Sequence, residues 1–211
     1  MSNRAWKRVS IAILIAMALI FAPFFVEKVQ AAEDDFTIVD GVLTGYVGVG
    51  GDVTIPNGVS KIADNVFKNN ENITSVTIPS SVKEIGQRAF GECPNLTMVS
   101  IEYGLETIRG LAFAGCEKLH TINLPESLTI IEEFAFNGCS SLTSVVIPGS
   151  VLEISVLFEG CTAMNDITLT EGSTSIGAYL FDQYEMPNLQ RVFLPASIDE
   201  IGSHPFGNSP T

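Results

Sequence analysis

The feature that most constrains this chain is a unit of about 23 residues that repeats seven times between residues 52 and 211. Three apolar columns recur in every unit, and the second column follows the first by seven residues each time. Chance does not produce the same spacing between two apolar columns in seven successive units. The first column is Ile55, Ile78, Ile101, Leu124, Ile147, Leu169 and Leu194; the second is Ile62, Ile85, Ile108, Ile131, Ile154, Ile176 and Ile201; the third is Phe67, Phe90, Phe113, Phe136, Phe158, Phe181 and Phe206.

These columns predict a stack of coils. One unit has too few apolar side chains to bury them alone, so neighbouring units must stack around a continuous core. Alternation such as Val76-x-Ile78 predicts a short strand with one buried face, and the common register predicts parallel pairing ~4.8 Å apart. The Ala89-Phe90 segment lacks alternation and predicts a helical or 3-10 turn on the opposite face.

Two further motifs carry a resemblance to a known family. Leu96-x-x-Val99-x-Ile101 and Leu119-x-x-Ile122-x-Leu124 have the L-x-x-L-x-L spacing, and Pro, Ile-Gly, Ala-Phe and Gly-Cys recur around them. The chain therefore resembles the BspA-like leucine-rich-repeat family of surface and secreted proteins over residues 36–211. The resemblance implies an α/β, right-handed solenoid of about seven coils, with a parallel sheet on one face and short helical turns on the other. It also implies adhesion or extracellular protein binding, and no catalytic residues.

The first 31 residues have the order of a secretory signal peptide. A basic start with Arg4, Lys7 and Arg8 precedes an apolar run over residues 9–25, and Val29-Gln30-Ala31 offers a cleavage site. The alternative is an uncleaved anchor, since the run could just span a bilayer. We predict a signal peptide over 1–31, a cap over 32–51 that resembles the family's N-terminal cap, and a solenoid over 52–211. The expected location is secreted or at the cell surface, with no membrane insertion after cleavage.

The charge narrows the choice of partner. The net formal charge is −13, and the signal segment holds four basic residues against one acidic, so the remainder is more acidic still. An acidic surface repels phosphate backbones, which argues against nucleic acid as a partner.

All four cysteines, Cys93, Cys116, Cys139 and Cys161, follow the phenylalanine column by three residues. An even count in a secreted protein is compatible with disulfides. Parallel side chains ~5 Å apart are farther apart than disulfide bonding prefers, so we favour a buried ladder of thiols over pairing.

The sequence offers no catalytic constellation, metal site or cofactor site. His120 and His204 lie in different columns, and pairs such as Glu132-Glu133 are adjacent in sequence, as on a solvated face.

The candidate binding residues are the side chains that flank the buried columns on the strand face. Two rows are expected to point outward, and Phe193 beside Arg191 has the composition of an interface hot spot. The alternative is that Phe193 packs on its neighbouring row. From the third coil onward these rows are Met98, Thr121, Ser144, Asp166 and Arg191, and Ser100, Asn123, Val146, Thr168 and Phe193.

The period breaks twice. The fifth unit lacks one residue between Ile154 and Phe158, and the sixth gains two between Phe181 and Leu189. Because insertions in solenoids lie in loops that often bind partners, Asp182, Tyr184 and Glu185 form a candidate binding loop. Drift of the repeat explains these breaks equally well.

We expect an extracellular module that binds a protein or a glycan. Two alternatives stay open: a passive structural module of a surface layer, and an accessory domain of a larger secreted enzyme. No polar cap follows the seventh unit, although solenoids need one. We therefore expect either a longer array or end-to-end self-association through the last coil.

Overall fold

The structure, a computed structural model, describes residues 33–152, 154, 156–178, 180–181 and 186–206. The predicted signal peptide and the candidate loop residues Asp182, Tyr184 and Glu185 lie outside the described residues. One 3-10 helix covers Glu33–Asp35. The strands are β1 (Phe36–Val39), β2 (Val42–Tyr46), β3 (Gly51–Thr54), β4 (Lys61–Ile62), β5 (Ile73–Ile78), β6 (Glu84–Ile85), β7 (Met98–Ile101), β8 (Thr107–Ile108), β9 (Thr121–Ile122), β10 (Ile130–Ile131), β11 (Ser144–Ile147), β12 (Asp166–Leu169), β13 (Ser175–Ile176), β14 (Arg191–Phe193) and β15 (Glu200–Ile201).

The chain forms a parallel solenoid of about seven coils, as the repeat predicts. The first column and the alternating residue before it build the first sheet, which consists of β3-β5-β7-β9 followed by β11-β12-β14. Equivalent residues pair across coils: Val76 lies opposite Val99, and Ile167 opposite Val192. In-register pairing buries the same alternate side chains in each coil, so the columns form one continuous core.

The second column builds a second parallel sheet of two-residue strands, β4-β6-β8-β10, and a separate pair, β13 and β15. The antiparallel hairpin of β1 and β2 closes the first end of this sheet, because β2 pairs with β4. In this hairpin the Tyr46 ring lies 5.0 Å from the Phe67 ring and covers the start of the phenylalanine column.

The helical turns expected around Ala89-Phe90 are not found in the described part of the coils. The third residue after the second column has a left-handed backbone, with φ of 52° at Arg88, 61° at Leu111 and 60° at Phe134. A second left-handed residue follows four positions later, as at Glu92 and Gly115, with φ of 59° and 75°. A right-handed helix needs consecutive residues near −63°, so this alternation cannot be a helix.

The turn backbone instead bonds to the next coil. The N–H of Phe90 donates to the carbonyl of Ala112 over 2.8 Å, and the N–H of Phe113 donates to that of Ala135 over 2.8 Å. The N–H groups of Ala89 and Gly91 bond within the turn, to the carbonyls of Gly86 and Arg88, so bonds within the turn alternate with bonds that hold adjacent coils together.

The phenylalanine column is buried and stacked. Successive rings in this column are nearly parallel. From Phe67 through Phe90 and Phe113 to Phe136, the angles between neighbouring ring planes are 6°, 1° and 3°, and the distances between their centroids are 4.8, 5.3 and 5.6 Å. Offset stacks of this spacing stabilise a core beyond the burial of their area. The Phe column is thus a continuous spine along the solenoid.

The four cysteines are buried free thiols that line the same side of the core. Burial raises the pKa of the Cys139 thiol and raises that of Cys161 to about 12. The protonated thiol can donate a hydrogen bond, and each lies within 3.0–3.3 Å of a Phe carbonyl in the preceding coil. In the described structure the thiol ladder contains no disulfide.

The first sheet divides between β9 and β11. The side chain of Asn123 accepts from the N–H of Ile101 over 2.9 Å and donates to the Ile101 carbonyl over 2.6 Å. The Asn123 amide therefore bonds to the N–H and the carbonyl of Ile101, which are the groups on β7 to which the backbone of a longer β9 would bond. β9 ends at Ile122 for this reason, and β11 pairs only with β12 in the described sheets.

The last described coil is only partly covered. Leu194, Ile201 and Phe206 are between 41% and 53% exposed, whereas the equivalent residues of the fifth coil, Ile147, Ile154 and Phe158, are buried. The Phe206 ring still lies 5.4 Å from the Phe181 ring and continues the column.

Candidate binding face

The candidate site is the outward face of the first sheet, which we call the strand face. On β7, Val99 and Ile101 are buried while Met98 is exposed and Ser100 half-buried. The same alternation holds on β11, where Ser144 and Val146 are exposed between Val145 and Ile147. Both predicted rows of candidate residues therefore lie outside the core.

The first coils present small polar side chains on the strand face. The carboxylate of Asp52 accepts hydrogen bonds from the hydroxyls of Ser75, at 2.5 Å, and Thr74, at 3.3 Å. These groups satisfy one another within the protein. This end of the face offers few free donors and little apolar area.

The last coils differ from the first coils in the charge and the apolar area of the strand face. The Arg191 guanidinium donates to both oxygens of Asp166, from Nε over 2.5 Å and from Nη2 over 2.9 Å. This pairing lowers the pKa of the Asp166 carboxyl from its usual value. A two-point contact fixes the planar guanidinium in orientation as well as position. Arg191 is thus held flat on the sheet beside Phe193.

Phe193 and Val146 supply the apolar part of this end. Each is 53% exposed, and Thr168 on β12 lies between them in the row, since it pairs with both residues. Half of a phenyl ring in solvent on a regular strand is available for contact with another molecule.

A cleft crosses the strand face where the first sheet divides. It has a volume of about 250 Å³ and lies between β9 and β11, which do not pair with each other. It is lined by Thr121, Ile122, Asn123, Leu124, Ser144, Val145 and Val146. Four of the candidate residues therefore surround one depression.

The structure adds two relationships that sequence reasoning missed. Asp166 and Arg191 were predicted as neighbours in a row but not as an ion pair, although opposite charges on adjacent strands signal one. Asn123 is exposed on the strand face, but the bonds from its amide to the backbone of Ile101 were not predicted. No sequence signal distinguishes this amide from the hydroxyls before it in the row.

Two further findings concern metal binding and membrane-spanning helices in the described residues. They contain no group of three or more His, Cys, Asp or Glu side chains able to hold a metal ion. Among the same residues, no helix has the length and apolar character needed to cross a membrane.

Comparison with known proteins places the fold in a family. The family model for the BspA type leucine-rich repeat region matches residues 51–157 and 85–211, in six copies. The chain belongs to the BspA-type leucine-rich-repeat family. A leucine-rich-repeat protein of T. pallidum is 32% identical, with a TM-score of 0.74, over 82% of this chain and 86% of that one.

Two further leucine-rich-repeat structures are similar to this chain. A leucine-rich cell surface protein of Faecalibacterium prausnitzii is 30% identical over 81% of this chain, with a TM-score of 0.64. A protein of Bacteroides ovatus is 26% identical over 79% of this chain, with a TM-score of 0.56. The matched regions span 47% and 52% of those two chains. A comparison with curated proteins gives no match.

Proposed function

We propose that this leucine-rich-repeat protein is an extracellular, non-catalytic module that binds a protein or a glycan through the strand face. The observation that carries the proposal is the last part of that face, where half-exposed Phe193 adjoins the fixed Arg191–Asp166 pair. Aromatic and arginine side chains dominate interface hot spots.

The rigid scaffold supports this proposal. Phe193 and Arg191 lie on a strand whose backbone pairs with β12, so the two side chains lose little conformational freedom when a partner binds. The cleft beside Val146 adds a depression within the same face. Together these features offer one aromatic anchor, one oriented cation and one concave pocket.

The extracellular location is proposed from two sources. The first is the order of basic, apolar and small residues over 1–31, typical of a secretory signal. The second is the similarity to the F. prausnitzii protein, which is described as a cell surface protein.

The test compares the full chain with two variants on arrays of glycans and of extracellular-matrix and cell-surface proteins. Phe193→Thr with Arg191→Ser gives the last coil the residue types of earlier coils, such as Thr77 and Ser75, so folding should be retained. Thr77→Ser is the matched control at the polar end.

We expect the double variant to lose at least tenfold in affinity for the bound array components, and the control to keep it. Equal binding by all three proteins would contradict a role for the last coils. No reproducible binding on any array would favour a passive structural module instead.

A further inference from the structure

A concave site lies on the second sheet, away from the strand face. It has a volume of about 680 Å³, within the range of ligand pockets. Four apolar side chains and two carboxylates contribute to its lining: Leu111, Ile130, Phe134, Leu152, Glu132 and Glu133.

Two of these apolar residues occupy outward positions that are polar in the earlier coils. Ile130 is 46% exposed and pairs in register with Thr107, which pairs in turn with Glu84. Leu152 is 76% exposed, and the residue one coil earlier is Thr129. Nothing in the core requires an apolar residue at either position.

The other two apolar residues sit at the left-handed position of the turns. Leu111 and Phe134 have φ of 61° and 60°, a conformation that disfavours bulky side chains. The equivalent residue two coils before Leu111 is Asn65, with φ of 61°, a type that tolerates this backbone better. The turn uses this backbone at Asn65, Arg88, Leu111 and Phe134 alike, but it does not need a bulky apolar side chain there.

The cavity opens where the repeat loses a residue. The fifth coil is one residue shorter between its second column and its phenylalanine, and the six-stranded second sheet ends at β10. The turn nevertheless stays attached to the next coil, because the N–H of Phe134 donates to the carbonyl of Val156 over 2.7 Å. Among the described residues, no strand of the next coil pairs with β10.

The charged side chains in the described lining of the cavity are two glutamates, one of which pairs with Arg109. The Glu132 carboxylate accepts from Arg109 over 2.7 Å and from the N–H of Gly110 over 2.8 Å, which fixes it at the edge of the cavity. Glu133 is exposed beside it, and no lysine or arginine lines the cavity. The site thus combines an apolar floor with a negative rim.

We propose that this cavity binds a segment of a partner protein in which an apolar side chain is flanked by lysine or arginine. The apolar side chain fills the space between Phe134 and Leu152, and the basic neighbours face the carboxylates of the rim. This site is separate from the strand face, so neither proposal depends on the other.

The test is a selection from a random peptide display library on the immobilised full chain. A parallel counter-selection uses Phe134→Asn with Leu152→Thr. Both changes copy residues found at the same position in other coils, Asn65 and Thr129, so the fold should be retained. Retained folding is checked by circular dichroism and thermal melting. Phe193→Thr on the strand face is the control for site specificity.

We expect enriched peptides with an apolar residue next to Lys or Arg. Their affinity, measured by fluorescence anisotropy, should fall at least tenfold for the double variant and stay unchanged for Phe193→Thr. Replacing Lys or Arg of a selected peptide by Glu should abolish binding. Three outcomes would overturn the proposal: peptides that bind both proteins equally, enrichment of acidic peptides, or no enrichment at all.

Discussion

The thiol of Cys116 donates a hydrogen bond to the backbone carbonyl of Phe90, 3.1 Å away in the preceding coil. The same contact recurs for each of the other three cysteines. Burial raises the pKa of the Cys139 and Cys161 thiols, which keeps them protonated and unreactive in the folded protein. We therefore expect the free protein to contain about four thiols that react only after denaturation.

The measurement is a titration with a thiol reagent, with and without denaturant and in the absence of reductant. The native protein should react slowly and the denatured protein should give about four thiols per chain. Loss of two or four thiols from the denatured titration, with no oxidant added, would show that coils are covalently linked.

The phenylalanine column should dominate stability. Phe113 is fully buried, with stacked rings 5.3 and 5.6 Å away on its two sides. We expect Phe113→Ala to lower the free energy of unfolding by about 3–5 kcal/mol, as truncation of buried aromatic residues does. Chemical denaturation would measure it. Phe193→Ala is the matched control, expected to change it by less than about 0.5 kcal/mol. Equal effects of the two changes would contradict the prediction that the phenylalanine column dominates stability.

One buried hydroxyl marks a site where the repeat can be improved. Ser173 is 1% exposed, its Oγ has no hydrogen-bond partner among the described residues, and the residue at the same position one coil earlier is Val151. We expect Ser173→Val to raise the free energy of unfolding by about 1–2 kcal/mol, because an unsatisfied buried group is replaced by apolar contact. The reciprocal change, Val151→Ser, should lower it. A destabilised Ser173→Val protein in thermal denaturation would show that this hydroxyl has a partner.

The bridge of Arg109 should make stability depend on acid pH. Its guanidinium contacts Glu84 over 3.1 Å and Glu132 over 2.7 Å, and these hydrogen bonds, with that of Lys61 to Glu84, lower the pKa of both carboxyls. When the pKa of a glutamate is lower in the folded than in the unfolded protein, its ionised form stabilises the fold at pH values above the unfolded pKa. This contribution is lost as the pH falls through the lowered pKa.

We therefore expect Arg109→Leu to reduce the fall in melting temperature between neutral pH and about pH 3, since the unfolded glutamate pKa lies near 4.3. Lys118→Leu is the control, because Lys118 bonds to the amide of Asn95 rather than to a carboxylate. Parallel pH profiles for wild type and Arg109→Leu would argue against the bridge.

Self-association through the last coil stays a prediction. The apolar residues Leu194, Ile201 and Phe206 are exposed by 41%, 53% and 43% in the described structure, and β14 is the outer strand of its sheet. Outer strands with apolar neighbours pair readily with another chain. Light scattering of the full chain should give a mass that rises with concentration, and Ile201→Ser should reduce it. A monomer at high concentration, with the last coil protected from hydrogen exchange, would rule this out.

The strands were predictable because their signal is repeated. Each of Ile78, Ile85 and Phe90 recurs in the same place, so burial and parallel register could be inferred before any coordinates. The turns were not. A left-handed backbone at Arg88, Leu111 or Phe134 has no signature in residue type, and only the glycines at 115, 138 and 160 hint at one.

The site was predictable only as far as alternation extends. Period-two alternation indicates which side chains leave the core, so Met98, Val146 and Phe193 could be placed on the strand face. The cavity beside Phe134 depends on the fifth unit being one residue shorter than the others, and on two sheets that end near the same coil. Such a depression arises from a break in the repeat, and a pattern search that looks for regularity passes over it.

The bond from the Phe90 N–H to the carbonyl of Ala112 has a consequence for how such proteins change length. Since each coil presents the same donors on one side and the same acceptors on the other, a duplicated unit of about 23 residues finds its bonding partners already in place. Unequal recombination within the gene can therefore add or delete coils without redesigning any junction. Copy number becomes a variable that selection can adjust independently of the chemistry on the surface.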